Sequence, residues 1–200
     1  MAGYRDIIAG LASRRWRIKL ATHFDTEIDN ETSDPTLPVS SLRRKKEDEF
    51  AARWRQIRVP TAGYNCFGHI FALRRTAIYD CDRKDIDVIL VEDGFGAVDS
   101  DNEAAVGDIV LYSDTRGYDH AARIVGRRPL LGSSDKKVLI VLSKFDDVSG
   151  EYEHQIDDLW WGDGRIVDRR IYRARGVLTK PHPTWRQALS ILEPGGQVKV

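Results

Sequence analysis

Three short runs between residues 107 and 144 constrain this chain most: Gly107-Asp-Ile-Val-Leu-Tyr-Ser113, His120-Ala-Ala-Arg-Ile-Val125 and Lys137-Val-Leu-Ile-Val-Leu-Ser-Lys144. Each is rich in β-branched residues, which pack well on a pleated surface. Asp114-Thr-Arg-Gly117 separates the first two with residues that reverse a chain. The pattern predicts an antiparallel meander. Ahead of it, Ser41 to Ile57 predicts a charged helix with Leu42, Phe50, Trp54 and Ile57 as its apolar contacts. That helix is expected to stop before Pro60, whose ring disfavours helical geometry in the residue preceding it. Helices first and strands afterwards favour an α+β fold over a doubly wound one.

Residues 3–12 fit a short helix, and Arg15 to Leu20 fits either a strand or a helical continuation. Residues 24–40 carry Asp, Thr, Asn, Ser and two prolines, which reads as a linker or long loop. The expected division is therefore an N-terminal helical extension with linker over 1–58 and a main domain over 59–200. Residues 88–98 join an apolar run to a glycine-rich turn, and 146–158 read as a polar, acidic loop. A last strand is expected near 165–173 and a closing helix near 185–192.

Apolar residues make up 42% of the chain and charged residues 31%, as in a globular protein with a real core. No run approaches the roughly 18 apolar residues that a membrane-spanning helix needs, so no membrane partner is expected. Lys and Arg number 31 and so do Asp and Glu, which gives nucleic-acid binding no support from overall charge. The basic runs Arg14-Arg-Trp-Arg and Arg43-Arg-Lys-Lys read as solvated faces, because acidic residues balance them nearby. Two cysteines, Cys66 and Cys81, are far from a disulfide framework. A helical path between them would separate them by roughly 22 Å, against about 7 Å for a disulfide. Free thiols and no visible signal peptide lead to a cytoplasmic expectation.

Candidate chemistry centres on Gly63 to Tyr79. At about 100° per residue, Cys66, Ile70, Leu73 and Ala77 share one face, predicting a half-buried helix that begins at or just before Cys66. Arg74 falls inside that stripe, so either it snorkels or the helix ends early. A cysteine in the first helical turn feels the dipole and free N–H groups, which favour the thiolate. His120 follows on a strand. An imidazole beside a thiolate stabilises it and later protonates a leaving group. The alternative is a small buried cysteine and a hydrogen-bonded strand histidine.

Gly107-Asp-Ile-Val-Leu-Tyr followed by Asp119-His-Ala-Ala-Arg-Ile-Val resembles the NlpC-type and CHAP-type amidases of the papain-like group. Tyr64-Asn-Cys-Phe is similar to the entry to their nucleophile helix. A closer resemblance is to an uncharacterised papain-like domain family of bacterial proteins. Asn65-Cys66, His120-Ala-Ala-Arg123, Ser143-Lys144 and His154 fall in that family's order. The resemblance covers roughly residues 60 to 175. It implies a papain-like fold with the nucleophile helix packed on an antiparallel sheet. It also implies a cysteine-dependent hydrolase or acyl transferase, of peptidase, amidase or deamidase type, acting on an amide, ester or thioester. A protein or peptide substrate is the expected partner, and no cofactor is expected. The alternative is a non-catalytic binding module on the same frame.

On this reading Cys66 and His120 are catalytic, and Ser143 orients the imidazole. Lys144 either binds a substrate carboxylate or points to solvent, and His154 reaches the site if its loop folds back. Asn65 supplies an oxyanion donor or an N-cap. His69, three residues beyond Cys66, reads as a partly buried histidine. Asp114, Asp119 and His120 lack a second histidine at zinc-like spacing, so no metal is expected.

Overall fold

In a computed structural model, residues 15–33, 41–79, 84–129, 137–159, 166 and 168–176 are described. The helix expected at 3–12, the closing helix at 185–192, Cys81 and His182 lie outside them. Two short strands, β1 (Arg15–Trp16) and β2 (Thr32–Ser33), pair antiparallel. Next come helix α1 (Ser41–Arg53), strand β3 (Arg55–Arg58), helix α2 (Cys66–Phe71), helix α3 (Lys84–Glu92) and strand β4 (Phe95–Val98). Five further strands follow among the described residues: β5 (Ile109–Ser113), β6 (Tyr118–Pro129), β7 (Lys137–Lys144), β8 (Glu151–Gln155) and β9 (Asp168–Ala174). Seven strands form one sheet in the order β3-β8-β7-β6-β5-β9-β4, and every neighbouring pair is antiparallel. The result is a mixed α/β chain dominated by one large antiparallel sheet, the coarse architecture the sequence suggested. No helix among the described residues is long and apolar enough to cross a membrane.

The sheet separates two cores. Strand side chains alternate faces, so Ile109, Leu111 and Ala121 pack with α2 and α3 through Cys66, Phe67, Ile70, Ile86, Ile89 and Leu90. Their neighbours Val110, Tyr112, Ala122, Ile124, Leu139 and Val141 form the opposite core. A third cluster joins α1 to the strand ends through Phe50, Trp54, Phe145 and Tyr152.

Several elements differ from expectation. The charged helix ends at Arg53 rather than Ile57, because Arg55–Arg58 pairs with β8 as an edge strand. The acidic stretch expected as loop contains β8, held between β3 and β7. Residues 24–33 belong to the packed body. Leu20 and Ile28 sit in the same core as Cys66, and Thr22 and Thr26 hydrogen-bond the Glu92 carboxylate at the end of α3.

The nucleophile helix is short. It ends at Phe71, and the chain reverses through Leu73 and Arg74, both in the left-handed region (φ 49° and 66°). Residues 76–77 then fold back over the helix, and Ala77 bridges to Glu31. The close return requires Gly68, because a Cβ there would lie 1.8 Å from the Thr76 carbonyl oxygen. The early stop also accounts for Arg74, which leaves the apolar stripe and pairs with Glu151.

Candidate functional site

Cys66 is the first residue of α2, and Asn65 is its N-cap. Asn65 Oδ1 accepts from Gly68 N at 2.9 Å and from Ile78 N at 3.1 Å, while Nδ2 donates to Ile78 O at 2.7 Å. The side chain thus ties the helix start to the returning segment. The N-cap expectation holds. Its amide nitrogen gives one of its two hydrogens to the Ile78 carbonyl.

The Cys66 thiol is buried in the core it shares with Ala121 of β6. Burial pushes the thiol up to about 12, the backbone N–H groups of Ala121 and Phe67 pull against that rise, and the Asp119 charge adds to it. The thiolate is therefore scarce near neutrality. Above it opens a cleft of about 430 Å³. Asn65 and Cys66 line it, with Phe67, Tyr79, Tyr118 and Phe145 as its aromatic residues. Asp114, Arg116, Asp119, Asp146 and Asp147 are its charged residues. Asp114 is held down to about 2, first by the Arg116 guanidinium at 2.8 Å and then by backbone N–H groups of the turn.

His120 does not join this cleft. It pairs with Tyr112 across β5–β6, whereas Ala121 pairs with Leu111. Leu111 and Ala121 belong to the core of Cys66, and Tyr112 to the other. The His120 ring therefore lies on the sheet face away from the thiol, fully buried. It stacks on Phe145 with ring centroids 5.5 Å apart and planes 3° apart, and lies 5.6 Å from the Tyr112 ring. Burial, and then the neighbouring His154 and His69, hold its pKa well below the ordinary histidine value. The expected Cys66–His120 pairing is corrected accordingly. A strand residue cannot change faces without a change of register.

Ser143 shares that far face, since it pairs with Ala122 and Tyr152. Its Oγ lies 2.6 Å from His154 Nε2, not against His120 as expected. His154 stands on β8 rather than in a loop, and its Nδ1 lies 2.8 Å from the Gln155 carbonyl. A carbonyl only accepts, so Nδ1 carries the proton and Nε2 accepts from the Ser143 hydroxyl. Lys144 neither reaches a substrate position nor points to solvent. It is fully buried, donates to the Thr61 carbonyl at 2.8 Å and to the Ser149 carbonyl, and lies 4.8 Å over the Tyr64 ring.

A network that the sequence did not announce sits beside α2. Glu151, fully buried, accepts from Tyr64 Oη at 2.7 Å and from Arg74 Nε and Nη2, the latter at 3.0 Å. His69 Nε2 lies 3.0 Å from Arg74 Nη2 and 3.9 Å from Glu151. Burial alone would raise the Glu151 carboxyl, but Arg74, His69 and Tyr64 outweigh it and hold it below the usual range. Burial takes His69 down to about 4, so the ring is neutral near pH 7. The sequence signal was a lone acidic residue at the start of a strand, indistinguishable from its surface neighbours.

Among the described residues, no group of three or more His, Cys, Asp or Glu side chains could hold a metal ion. No protein-family model, curated protein or solved structure matches the chain.

Proposed function

We propose that this chain is a binding module on a papain-like frame, and that its ligand occupies the cleft above Cys66. One observation carries the reading: Cys66 lines the cleft, and the imidazole expected to partner its thiol faces the other side of the sheet. Without His120 on its own face the thiol is not paired with the base that acyl transfer was expected to use, while a cleft with four aromatic residues and a charged lining suits a ligand. Among the described residues the lining holds four carboxylates and one guanidinium, so charge complementarity favours a peptide segment bearing a basic group.

A second reading keeps the cysteine-dependent hydrolase or acyl transferase. It is favoured by the backbone N–H groups of Ala121 and Phe67, whose pull on the Cys66 thiol is toward the thiolate.

Alkylation of Cys66 by iodoacetamide, read by mass spectrometry across a pH series, separates the two. A thiol near pKa 12 rather than its ordinary 9.0 reacts about a thousandfold more slowly near neutrality, in proportion to its thiolate fraction. Basic peptides protect it further, and acidic peptides of equal length do not. Rapid labelling near neutrality, with a low-pH inflection, overturns the binding reading and restores the hydrolase.

A further inference from the structure

Phe145 belongs to two environments. It follows β7 directly and lines the cleft over Cys66. Its ring also lies in the far-face aromatic cluster, stacked on Trp54 at 4.6 Å and on His120 at 5.5 Å, with His154 at 5.2 Å. One ring thus forms part of the cleft lining and separates two buried imidazoles.

We propose that the His120–Phe145–His154 stack is an acid-sensitive wall of the Cys66 cleft: charging the imidazoles displaces the Phe145 ring and opens the thiol to solvent.

The surroundings of each ring decide the direction. His154 faces Ser143 from β7, Arg53 at the end of α1 and Trp54 just beyond it, Asp158 beyond β8, and His120 from β6. Among the described residues Asp158 is the carboxylate acting on it, and that group is already shared between Arg53 and Trp54 Nε1. His120 meets Tyr112 from β5, His154 from β8 and His69 from α2. Tyr152 also touches Phe145, and its hydroxyl is committed to Glu47 on α1. Asp119, Asp146 and Asp147 lie on the cleft side, and the Lys144 ammonium on the helix side. A proton added to His154 converts Nε2 from acceptor to donor, so the Ser143 hydroxyl must turn its own hydrogen elsewhere. It also places a charge in an apolar stack beside a second imidazole, which is costly without a partner. Burial already takes His154 down to about 4, in keeping with a site that resists charge. Releasing Phe145 admits water to both rings, and the same movement removes part of the cleft lining.

The test is the reaction of Cys66 with dithiodipyridine, which modifies thiols well into the acid range. The rate is read at Cys66 by mass spectrometry and normalised to glutathione at each pH. From about pH 7 to about pH 5 the normalised rate rises about tenfold, while near- and far-ultraviolet circular dichroism stay native. In His154→Gln and His120→Gln the rise is flattened. Where either variant fails to fold, imidazole proton resonances of the wild-type chain replace it, and their titration tracks the Cys66 rate. A flat wild-type rate, a rise equal in both variants, imidazole shifts that do not track it, or a rise only with loss of dichroism overturns the proposal.

Discussion

Replacing Glu151 with glutamine removes the one charge on which the network beside α2 converges. The carboxylate is fully buried, accepts from Tyr64 at 2.7 Å and from two Arg74 nitrogens, and has Arg58 at 3.5 Å and His69 at 3.9 Å. Breaking a buried ion pair by neutralising one partner costs about 3–5 kcal/mol, because the other charge is left uncompensated. Arg74 is 32% exposed and can turn part of its guanidinium to water, which moves the expectation to the lower end, about 3 kcal/mol. For a chain of this size that is a drop of about 6–12 °C in Tm. The pH dependence has a definite sign. The folded carboxyl lies below its ordinary 4.5, so the unfolded chain binds more protons below that value. The contribution is present above about pH 4.5 and is lost as pH falls through the folded pKa. Urea unfolding of wild type and Glu151→Gln, at neutral pH and in steps below about pH 5, measures both effects. A loss under about 1 kcal/mol at neutral pH, or a variant with the same acid slope as wild type, would refute the assignment.

Gly68→Ala places a methyl group against the Thr76 carbonyl, and about 3 kcal/mol of stability is expected to be lost in chemical denaturation. Asn65→Ala removes the cap and leaves the Ile78 N–H and carbonyl without their side-chain partner; a loss of about 2–3 kcal/mol should come with faster alkylation of Cys66. Ser143→Ala leaves His154 Nε2 without its donor and should cost about 1–2 kcal/mol in the same assay, with Cys66 alkylation near neutrality unchanged.

The meander was legible because β-branched runs and turn residues act locally: 109–113, 118–129 and 137–144 fall where the pattern put them. So was the start of α2, since Asn65 caps through its own side chain. What escaped was set by distant partners. Arg55–Arg58 became a strand because β8 offered it an edge, and residues 24–33 joined the body through Glu92 on α3. Of the two outcomes left open at Arg74, the early stop holds, because a backbone carbonyl returns over Gly68, a contact that no periodicity encodes. At the site, the sequence order of Cys66, His120, Ser143 and His154 counts residues, whereas chemistry depends on which face each presents. Even His120 and odd Ala121 are neighbours in that order and strangers in the fold.

The β5–β6 register shifts between Tyr112 and Ser113, so Tyr118 pairs with Ser113 and Asp119 is the residue passed over before His120 meets Tyr112. Tyr118 reaches Asp87 on α3 at 2.9 Å, and His120 faces the opposite core. From an engineer's standpoint, the gap between this arrangement and a thiol–imidazole pair is a single pleat. The next two residues of β6 are both alanine, the side chain least sensitive to which core receives it. Moving the irregularity past His120 would turn that one residue to the helix face and leave Ala121 and Ala122 on theirs. Which core receives the imidazole is thus set by the position of a bulge rather than by the identity of any residue around it.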